Sequence, residues 1–168
     1  MEYATYSDQV RNNLRSAGFE AVDVEGERFS DVYAKCETGL TVGILNTMVT
    51  VVNADEMRSG DLREYTDAFR DLLGDESYAK FNVGENMFGY VLFAAPNPPD
   101  ELVEWSYDYN VRERNSHVFS IVYALDQDDI HTHSISRIKY RGLYKKQKRD
   151  AEALFIINED GEGGGVIR

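Results

Sequence analysis

The chemical groups that stand out in this sequence are the cations of residues 137–149, which we call the basic segment. Seven of its thirteen residues are basic and none is acidic, whereas the rest of the chain holds 11 cations against all 30 acidic residues. Two tyrosines interleave these cations, as stacking residues do in sites for single-stranded nucleic acids. The predicted partner-binding residues are Arg137, Lys139, Tyr140, Arg141, Tyr144, Lys145, Lys146, Lys148 and Arg149.

A concentration of cations in an acidic protein predicts an acidic partner. A nucleic acid is one candidate, because lysine and arginine contacts to phosphates tolerate any base sequence and are sensitive to salt. An acidic face of another protein is the second candidate, and a further copy of this chain, forming a homo-oligomer, is the third. The opposing interpretation is that the cations pair with carboxylates of the chain itself. The leading hypothesis is a non-catalytic interaction or assembly protein that engages an acidic partner through the basic segment.

Two of the three histidines, His131 and His133, lie two residues apart and close to Asp128. On a strand this spacing would place both imidazoles on one face. Zinc and iron sites need three or four converging ligands. Two histidines and a turn carboxylate are only a weak signal for such a site, because a His-x-His pair occurs easily by chance, so the spacing favours an exposed strand face. No metal or other cofactor is predicted.

The sequence contains no pattern of a known catalytic site. It lacks a Gly-x-Ser-x-Gly elbow, a phosphate-binding loop that ends in Lys-Ser/Thr, and a His-Glu-x-x-His pair. Its single cysteine, Cys36, excludes an intrachain disulfide and has no base beside it in the sequence. We therefore expect Cys36 to be a buried or half-buried packing residue, and no catalytic residue is predicted.

The composition is that of one acidic, folded domain. The chain has 168 residues, 42% of them hydrophobic, and a formal net charge of -12. Its many carboxylates and few lysines resemble the proteins of salt-loving archaea, in which concentrated salt screens the self-repulsion. The N-terminal residues lack the basic and apolar regions of a signal peptide, and the apolar stretches are too short to span a membrane. We expect a cytoplasmic protein, or a virion component if the source is a virus, with no membrane partner.

The hydrophobic periodicity predicts one α+β or mixed α/β domain over residues 1–158. The order of elements is α-β-β-β-α-β-α-β-β-(α)-β, which implies a mixed, mostly antiparallel sheet covered by three to four helices. The acidic, glycine-rich end at 159–168 is predicted to be a flexible tail. Helices are predicted at 7–17, at 62–73, after 96–99 and, with a strand extension as the alternative, at 142–151. Strands are predicted at 19–25, 29–36, 40–53, 89–95, 118–125, 130–140 and 154–158.

Capping signals and charges place the ends of three helices. Ser7 is the predicted N-cap of the first helix, and Asp61 with Glu64 resembles a capping box at the start of the second. In the third helix, Arg112 and Arg114 are predicted near the negative C-terminal end.

The order of elements in the first half, residues 7–73, resembles the core of the PD-(D/E)xK nucleases. In that family a strand aspartate and a following Glu-x-Lys bind the metal and orient the water. Asp31 looks like the first of these residues, but the next strand has Ile44-Leu45-Asn46 where the family has Glu-x-Lys. The resemblance implies a scaffold that has lost metal-assisted cleavage. A catalytically degenerate or metal-dependent nuclease-like enzyme is therefore one alternative function.

The same half is also similar in its order to the tail-terminator and neck proteins of tailed viruses. The similarity lies in a strand rich in valine and threonine that leads into the helix at 62–73. Those proteins are small, ring-forming α+β assembly proteins, so this resemblance implies a structural virion component as the second alternative. Because the order of elements does not fix function, both alternatives need a site of their own.

Overall fold

The computed structural model describes residues 1–39, 43–74, 86–113, 116–133, 141–157 and 166–167. Its helices are α1 (Tyr3–Ser16), α2 (Ser59–Leu73), α3 (Asp100–Asp108) and α4 (Arg141–Leu154). Its strands are β1 (Glu20–Val22), β2 (Val32–Gly39), β3 (Gly43–Asn53), β4 (Asn86–Ala95), β5 (Asn110–Glu113), β6 (Ser116–Ala124), β7 (Asp129–His131) and β8 (Val166–Ile167). Among these described residues, no helix has both the length and the apolar character that crossing a membrane requires.

The eight strands belong to one mixed sheet in the order β1-β2-β3-β4-β6-β7-β8, and β5 pairs with β6 beside this path. The central strands β3, β4 and β6 are parallel neighbours. The antiparallel hairpin of β2 and β3 lies on one side, while β5 and β7 are antiparallel to different halves of β6 on the other. The structure thus confirms the predicted α+β domain with a mixed sheet covered by three to four helices; it has four.

Helices cover this sheet on both faces. Alternate residues of β4 point to opposite sides, so Tyr90 and Leu92 pack with α1 and α4, whereas Val91 and Phe93 pack with α2 and α3. All four side chains are 0% exposed. This burial on both faces explains the long apolar run of β4, because neither face of the strand meets water.

Helix α1 begins four residues earlier than the sequence predicts. Tyr6, Val10 and Leu14 are spaced four residues apart and are all 0% exposed, so the apolar face of the helix starts before Ser7. Ser7 is consequently not the N-cap. It lies inside the helix, where its hydroxyl donates to a backbone carbonyl of the preceding turn.

The capping box of α2 differs from the predicted one. The carboxylate of Asp61 accepts a hydrogen bond from the backbone N–H of Arg58 at 2.9 Å, so Arg58 is the N-cap and Asp61 is the third helical residue. Glu64, the predicted partner of Asp61, instead pairs with Arg28. The predicted end of this helix at Gly74 is confirmed.

Helix α3 ends at Asp108, and the residues that follow form β5, a strand that the sequence does not predict. The cause is the free edge of β6, with which β5 pairs in antiparallel register. Arg112 therefore lies on a strand, and Arg114 lies outside the described residues. The last turn of α3 contains no basic residue. The sequence predicts Arg112 near the negative end of this helix, and the structure places it on the next strand, four residues after Asp108.

The C-terminal part also differs from the prediction. Helix α4 confirms the predicted helix at 142–151 but continues to Leu154, and the described residues 155–157 are not a strand. Leu154 and Phe155 belong to the core between α1, α4 and the sheet, and this packing prolongs the helix. Most of the predicted tail at 159–168 lies outside the described residues. Its residues Val166–Ile167 form β8 and pair in parallel with β7.

Gly89 of β4 lies directly beneath α2, where no side chain fits. A Cβ at this position would come within 2.7 Å of Leu73 Cδ1, 3.0 Å of Val118 Cγ2 and 3.2 Å of Phe69 Cδ1. We expect Gly89→Ala to lower the free energy of unfolding by about 1–3 kcal/mol, because overpacking forces the neighbouring side chains to shift. Urea titration followed by circular dichroism measures this loss.

Gly60→Ala is the matched control for this substitution. Gly60 lies in the first turn of α2, and a Cβ there meets no atom of the described chain within 4 Å. Alanine also favours the helix over glycine, so the control variant should be at least as stable as the wild type. Equal stabilities of the two variants would show that the contact between α2 and β4 is not tight at Gly89.

Candidate functional site

Helix α4 contains the described part of the basic segment; Arg137, Lys139 and Tyr140 lie outside the described residues. One side of this helix carries Arg141, Lys145, Lys148 and Arg149, which we call the cationic face. These residues are four, seven and eight positions apart, so they lie along one side of an α-helix. Arg141, Lys145 and Arg149 are exposed and Lys148 is half-buried.

The four cations of this face have no carboxylate partner among the described residues. Lys146 behaves differently, because it lies on another side of the helix. Its ammonium group pairs with Asp150 and lies 5.5 Å from the centre of the Phe88 ring. The sequence analysis treats all the cations as one partner-binding set. In the structure the described cations form two groups, the cationic face and the internally paired Lys146.

Asp150 also joins α4 to the sheet, through a hydrogen bond with Tyr90 of β4. Its carboxylate accepts a hydrogen bond of 2.7 Å from the hydroxyl of Tyr90, which is 0% exposed. Burial, together with the charge and hydrogen bond of Asp150, raises the pKa of Tyr90 well above its usual value. The hydroxyl consequently remains protonated and serves as a donor that anchors α4.

Tyr144, predicted as a stacking residue for a partner, faces the sheet instead. It is 8% exposed, and its ring stacks on His133 with centroids 5.2 Å apart and meets Phe119 edge to face at 5.7 Å. Positions 144, 147, 151 and 154 form the buried stripe of the amphipathic helix. Tyr144 therefore cannot stack on a nucleic-acid base without leaving the core.

A polar cluster adjoins the buried side of Tyr144. His117 donates from Nε2 to the side-chain oxygen of Asn110 at 3.2 Å, and the amide nitrogen of Asn110 donates to Nε2 of His133 at 2.8 Å. Gln147 of α4 donates to the backbone carbonyl of His133 at 3.2 Å. The sequence analysis missed Asn110 and Gln147, because nothing in their neighbourhood predicts that β5 and α4 both reach His133.

The two imidazoles of this cluster are held in the neutral form. Burial, together with the positive charge of Arg112 and the proximity of the His133 ring, lowers the pKa of His117 to about 4. Burial also lowers the pKa of His133, against the opposing charge of Asp108. Two neutral rings bridged by one amide form a structural link between β5, β6 and the end of β7. The described residues place no nucleophile in this link.

His131 does not share a face with His133, so that prediction is wrong. Strand β7 ends at His131, which is opposite Val122 and whose Nδ1 lies 2.7 Å from the hydroxyl of Tyr107 on α3. His133 follows the strand end and turns towards α4. Asp128 accepts a hydrogen bond from Tyr123. Within the described ranges, no three His, Cys, Asp or Glu side chains are placed to hold a metal ion.

Cys36 is exposed, not buried as the sequence predicts. Residues 36–38 of β2 and residues 43–45 of β3 are exposed or half-buried, so this end of the hairpin extends beyond the covering helices. Lys35 beside it pairs with Glu37 at 2.9 Å. These neighbours give the thiol no general base.

Asp31, the residue that resembles the nuclease aspartate, pairs with Arg11 of α1. The register of β2 and β3 sets Val32 opposite Thr50, so Asp31 is level with Val51 and not with residues 44–46. Val51 is a core residue, 5% exposed. The position that faces Asp31 across the hairpin is therefore apolar, which weakens the nuclease interpretation further.

Comparison with known proteins assigns this chain to no family. No family model matches it, and no curated protein matches its sequence. Its function must therefore be inferred from its own residues.

The neutral histidines predict how stability depends on pH. His117 has a folded pKa of about 4 and an ordinary value of 6.5, so the unfolded chain binds a proton more readily. Its contribution to stability is complete above pH 6.5 and is lost as the pH falls towards 4. We expect His117→Gln, which keeps a hydrogen-bonding group but does not titrate, to flatten the pH dependence of the free energy of unfolding in this range.

Urea titrations of both proteins between pH 7 and pH 4 measure this difference. The carboxylates titrate in both, so only the difference between the two curves reports on His117. Parallel curves would mean that the imidazole is charged or solvated in the folded protein.

Proposed function

We propose that this protein is a non-catalytic interaction or assembly protein that binds an acidic partner through the cationic face of α4. The observation that carries the proposal is the set of four cations on one side of a helix, none joined to a carboxylate among the described residues. The chain as a whole has a net charge of -12, so these cations are a local exception. Opposite charge across an interface steers association and selects partners.

The cationic face is short, and the helix that carries it is held in place by packing on the sheet. From Arg141 to Arg149 the helix rises about 12 Å, at about 1.5 Å per residue. The other side of α4 is buried through Tyr144, Ala151 and Leu154. A helix held in this way needs little ordering on binding, which lowers the entropic cost of association.

An acidic protein surface fits this face better than a nucleic acid does. Tyr144 packs inward, so the described part of the basic segment offers no aromatic ring to stack on a base. A long polyanion would extend beyond the 12 Å or so of the face and meet the repulsion of a strongly acidic chain. A compact patch of Asp and Glu matches the face in both size and charge. A second copy of this chain is one source of such a patch.

The two alternative functions have weaker support. A nuclease-like enzyme would need metal ligands near Asp31, and the facing position on β3 is the buried Val51. A ring-forming virion component is supported by the order of elements alone.

The test is the triple variant Lys145→Gln/Lys148→Gln/Arg149→Gln. Fluorescence anisotropy with a labelled glutamate tetrapeptide, which at about 3.3 Å per residue matches the length of the face and is called polyglutamate below, measures the dissociation constant. The titration is made at two salt concentrations at which circular dichroism shows folded protein. Each exposed charge pair contributes about 0.2–1 kcal/mol, so we expect the three substitutions to weaken binding by roughly 3-fold to 100-fold. The wild-type affinity should fall as salt rises, and that of the variant should change less.

The matched control is Arg15→Gln/Arg28→Gln/Arg63→Gln, which changes the net charge by the same amount on other surfaces. It should bind polyglutamate as the wild type does. Equal weakening in both variants would mean that net charge, not the cationic face, governs binding. Two further measurements identify the partner.

Tighter binding of an oligothymidylate than of polyglutamate would identify a nucleic acid as the partner, provided that the triple variant of α4 loses this binding. Light scattering of both variants reports whether the partner is a second copy of the chain.

A further inference from the structure

A second feature with a chemical preference is an open cavity at the C-terminal end of α3. Its volume is about 320 Å³. Among the described residues it is lined by two aromatic side chains, Trp105 and Tyr109, and two acidic ones, Glu104 and Asp108. It lies on the α2 and α3 side of the sheet and shares no residue with the cationic face.

The two aromatic rings form a corner. Their centroids are 5.4 Å apart and their planes are inclined by 54°. The faces of aromatic rings carry negative electrostatic potential and attract cations, and tryptophan does so most strongly. Two rings inclined in this way can each present a face to one bound group.

Tyr109 is held in place by hydrogen bonds at both ends. Its hydroxyl donates to Asp67, its backbone N–H donates to the carbonyl of Trp105 at 2.7 Å, and its own carbonyl accepts from the hydroxyl of Ser120 at 3.0 Å. Burial and the bond to Asp67 raise the pKa of Tyr109 to about 12. The ring is therefore a fixed, uncharged wall at neutral pH.

The charges of the residues described as lining the cavity are negative. Glu104 and Asp108 are exposed carboxylates one helical turn apart. The end of α3 adds the negative pole of the helix dipole, and the last turn of the helix contains no basic residue. Two rings, two carboxylates and a helix C-terminus thus agree in favouring a positive ligand.

The chemistry of the lining residues determines which kind of cation the cavity can bind. A metal ion needs several converging oxygen or nitrogen ligands, and the described side chains form no such group. Ring faces instead suit a cation with an apolar surface and weak hydration, such as an alkylated ammonium or a guanidinium group. Arg63 is an example within the chain: its guanidinium carbon lies 5.9 Å from the centre of the Tyr109 ring, and the same group pairs with Asp67 at 3.9 Å.

From these observations we infer that the cavity at the end of α3 binds an organic cation, with an ammonium or guanidinium head against the corner formed by Trp105 and Tyr109 and its charge balanced by Glu104 and Asp108. The head belongs either to a free small molecule or to a lysine or arginine side chain of a peptide. This site does not depend on the proposed role of α4.

Trp105 is the single tryptophan of the chain, so its fluorescence reports on the site directly. Choline and methylguanidinium are titrated into the full-length protein at constant ionic strength. We expect a saturable change in emission with each cation and none with the uncharged carbon isostere of choline. A glycine-flanked arginine peptide is titrated in parallel. Binding at least 10-fold tighter than that of methylguanidinium identifies a peptide side chain as the ligand; weaker or equal binding identifies a free cation.

The variant Glu104→Gln/Asp108→Asn keeps the shape of the cavity and removes its charge. It should weaken binding by roughly 2-fold to 30-fold, because each carboxylate contributes an exposed charge pair of about 0.2–1 kcal/mol. The matched control, Asp100→Asn/Glu101→Gln, makes the same change of charge at the other end of α3 and should bind as the wild type does.

A second pair of variants tests the ring. Tyr109→Phe keeps the aromatic face and should retain binding, whereas Tyr109→Leu should lose it. Retention of the Tyr109→Phe affinity also shows that the fold survives without the hydroxyl. The inference is overturned if no cation gives a saturable change, if the uncharged isostere binds equally well, or if the Glu104→Gln/Asp108→Asn variant binds like its control.

Discussion

Strands β4 and β6 are buried on both faces, and this burial constrains the rest of the molecule. Exposing an apolar sheet face costs about 25 cal/mol for each Å² in contact with water, so helices must cover both sides. Helix α4 covers one side through Tyr144, which packs on Phe119 of β6. A helix that packs in this way uses one stripe of its surface, and its other residues must face solvent. The chemical character of these outward-facing residues then determines which partners the surface can bind.

The same constraint gives neighbouring residues different roles. Lys145 faces solvent as part of the cationic face, whereas the adjacent Lys146 turns to Asp150 and the Phe88 ring. Their sequence context is almost identical, and only the position around the helix separates them. On the opposite side of the sheet, α3 buries Leu102 and leaves Glu104 at the mouth of a cavity. The molecule therefore has a positive surface on one helix and a negative, aromatic one on another.

Sequence periodicity was sufficient for most of the fold, because each buried stripe leaves a repeating pattern. The run Leu62, Tyr65, Phe69 and Leu72 predicts α2, and the apolar run of β4 predicts a central strand. Periodicity does not predict where a helix or strand ends when a tertiary contact sets that end. β5 exists because β6 has a free edge, and that pairing ends α3 at Asp108.

The candidate sites were less predictable for the same reason. The concentration of cations was evident in the sequence, but the inward position of Tyr144 follows from packing against His133 and Phe119. The separation of His131 from His133 follows from the end of β7 between them. The acidic and aromatic cavity combines residues that carry no recognisable motif. The cavity forms where the chain leaves the helix just after Asp108.

The opposite edge of the sheet has a consequence for how copies of this protein meet. β1 pairs with only the first three residues of β2, so among the described strands the outer side of residues 35–39 is unpaired. Free backbone donors and acceptors at a sheet edge can recruit a strand from another molecule. Here Lys35 and Glu37 form an ion pair on that same stretch, and charged side chains on an edge strand oppose the addition of another strand. This edge is thereby guarded against fibril-like growth.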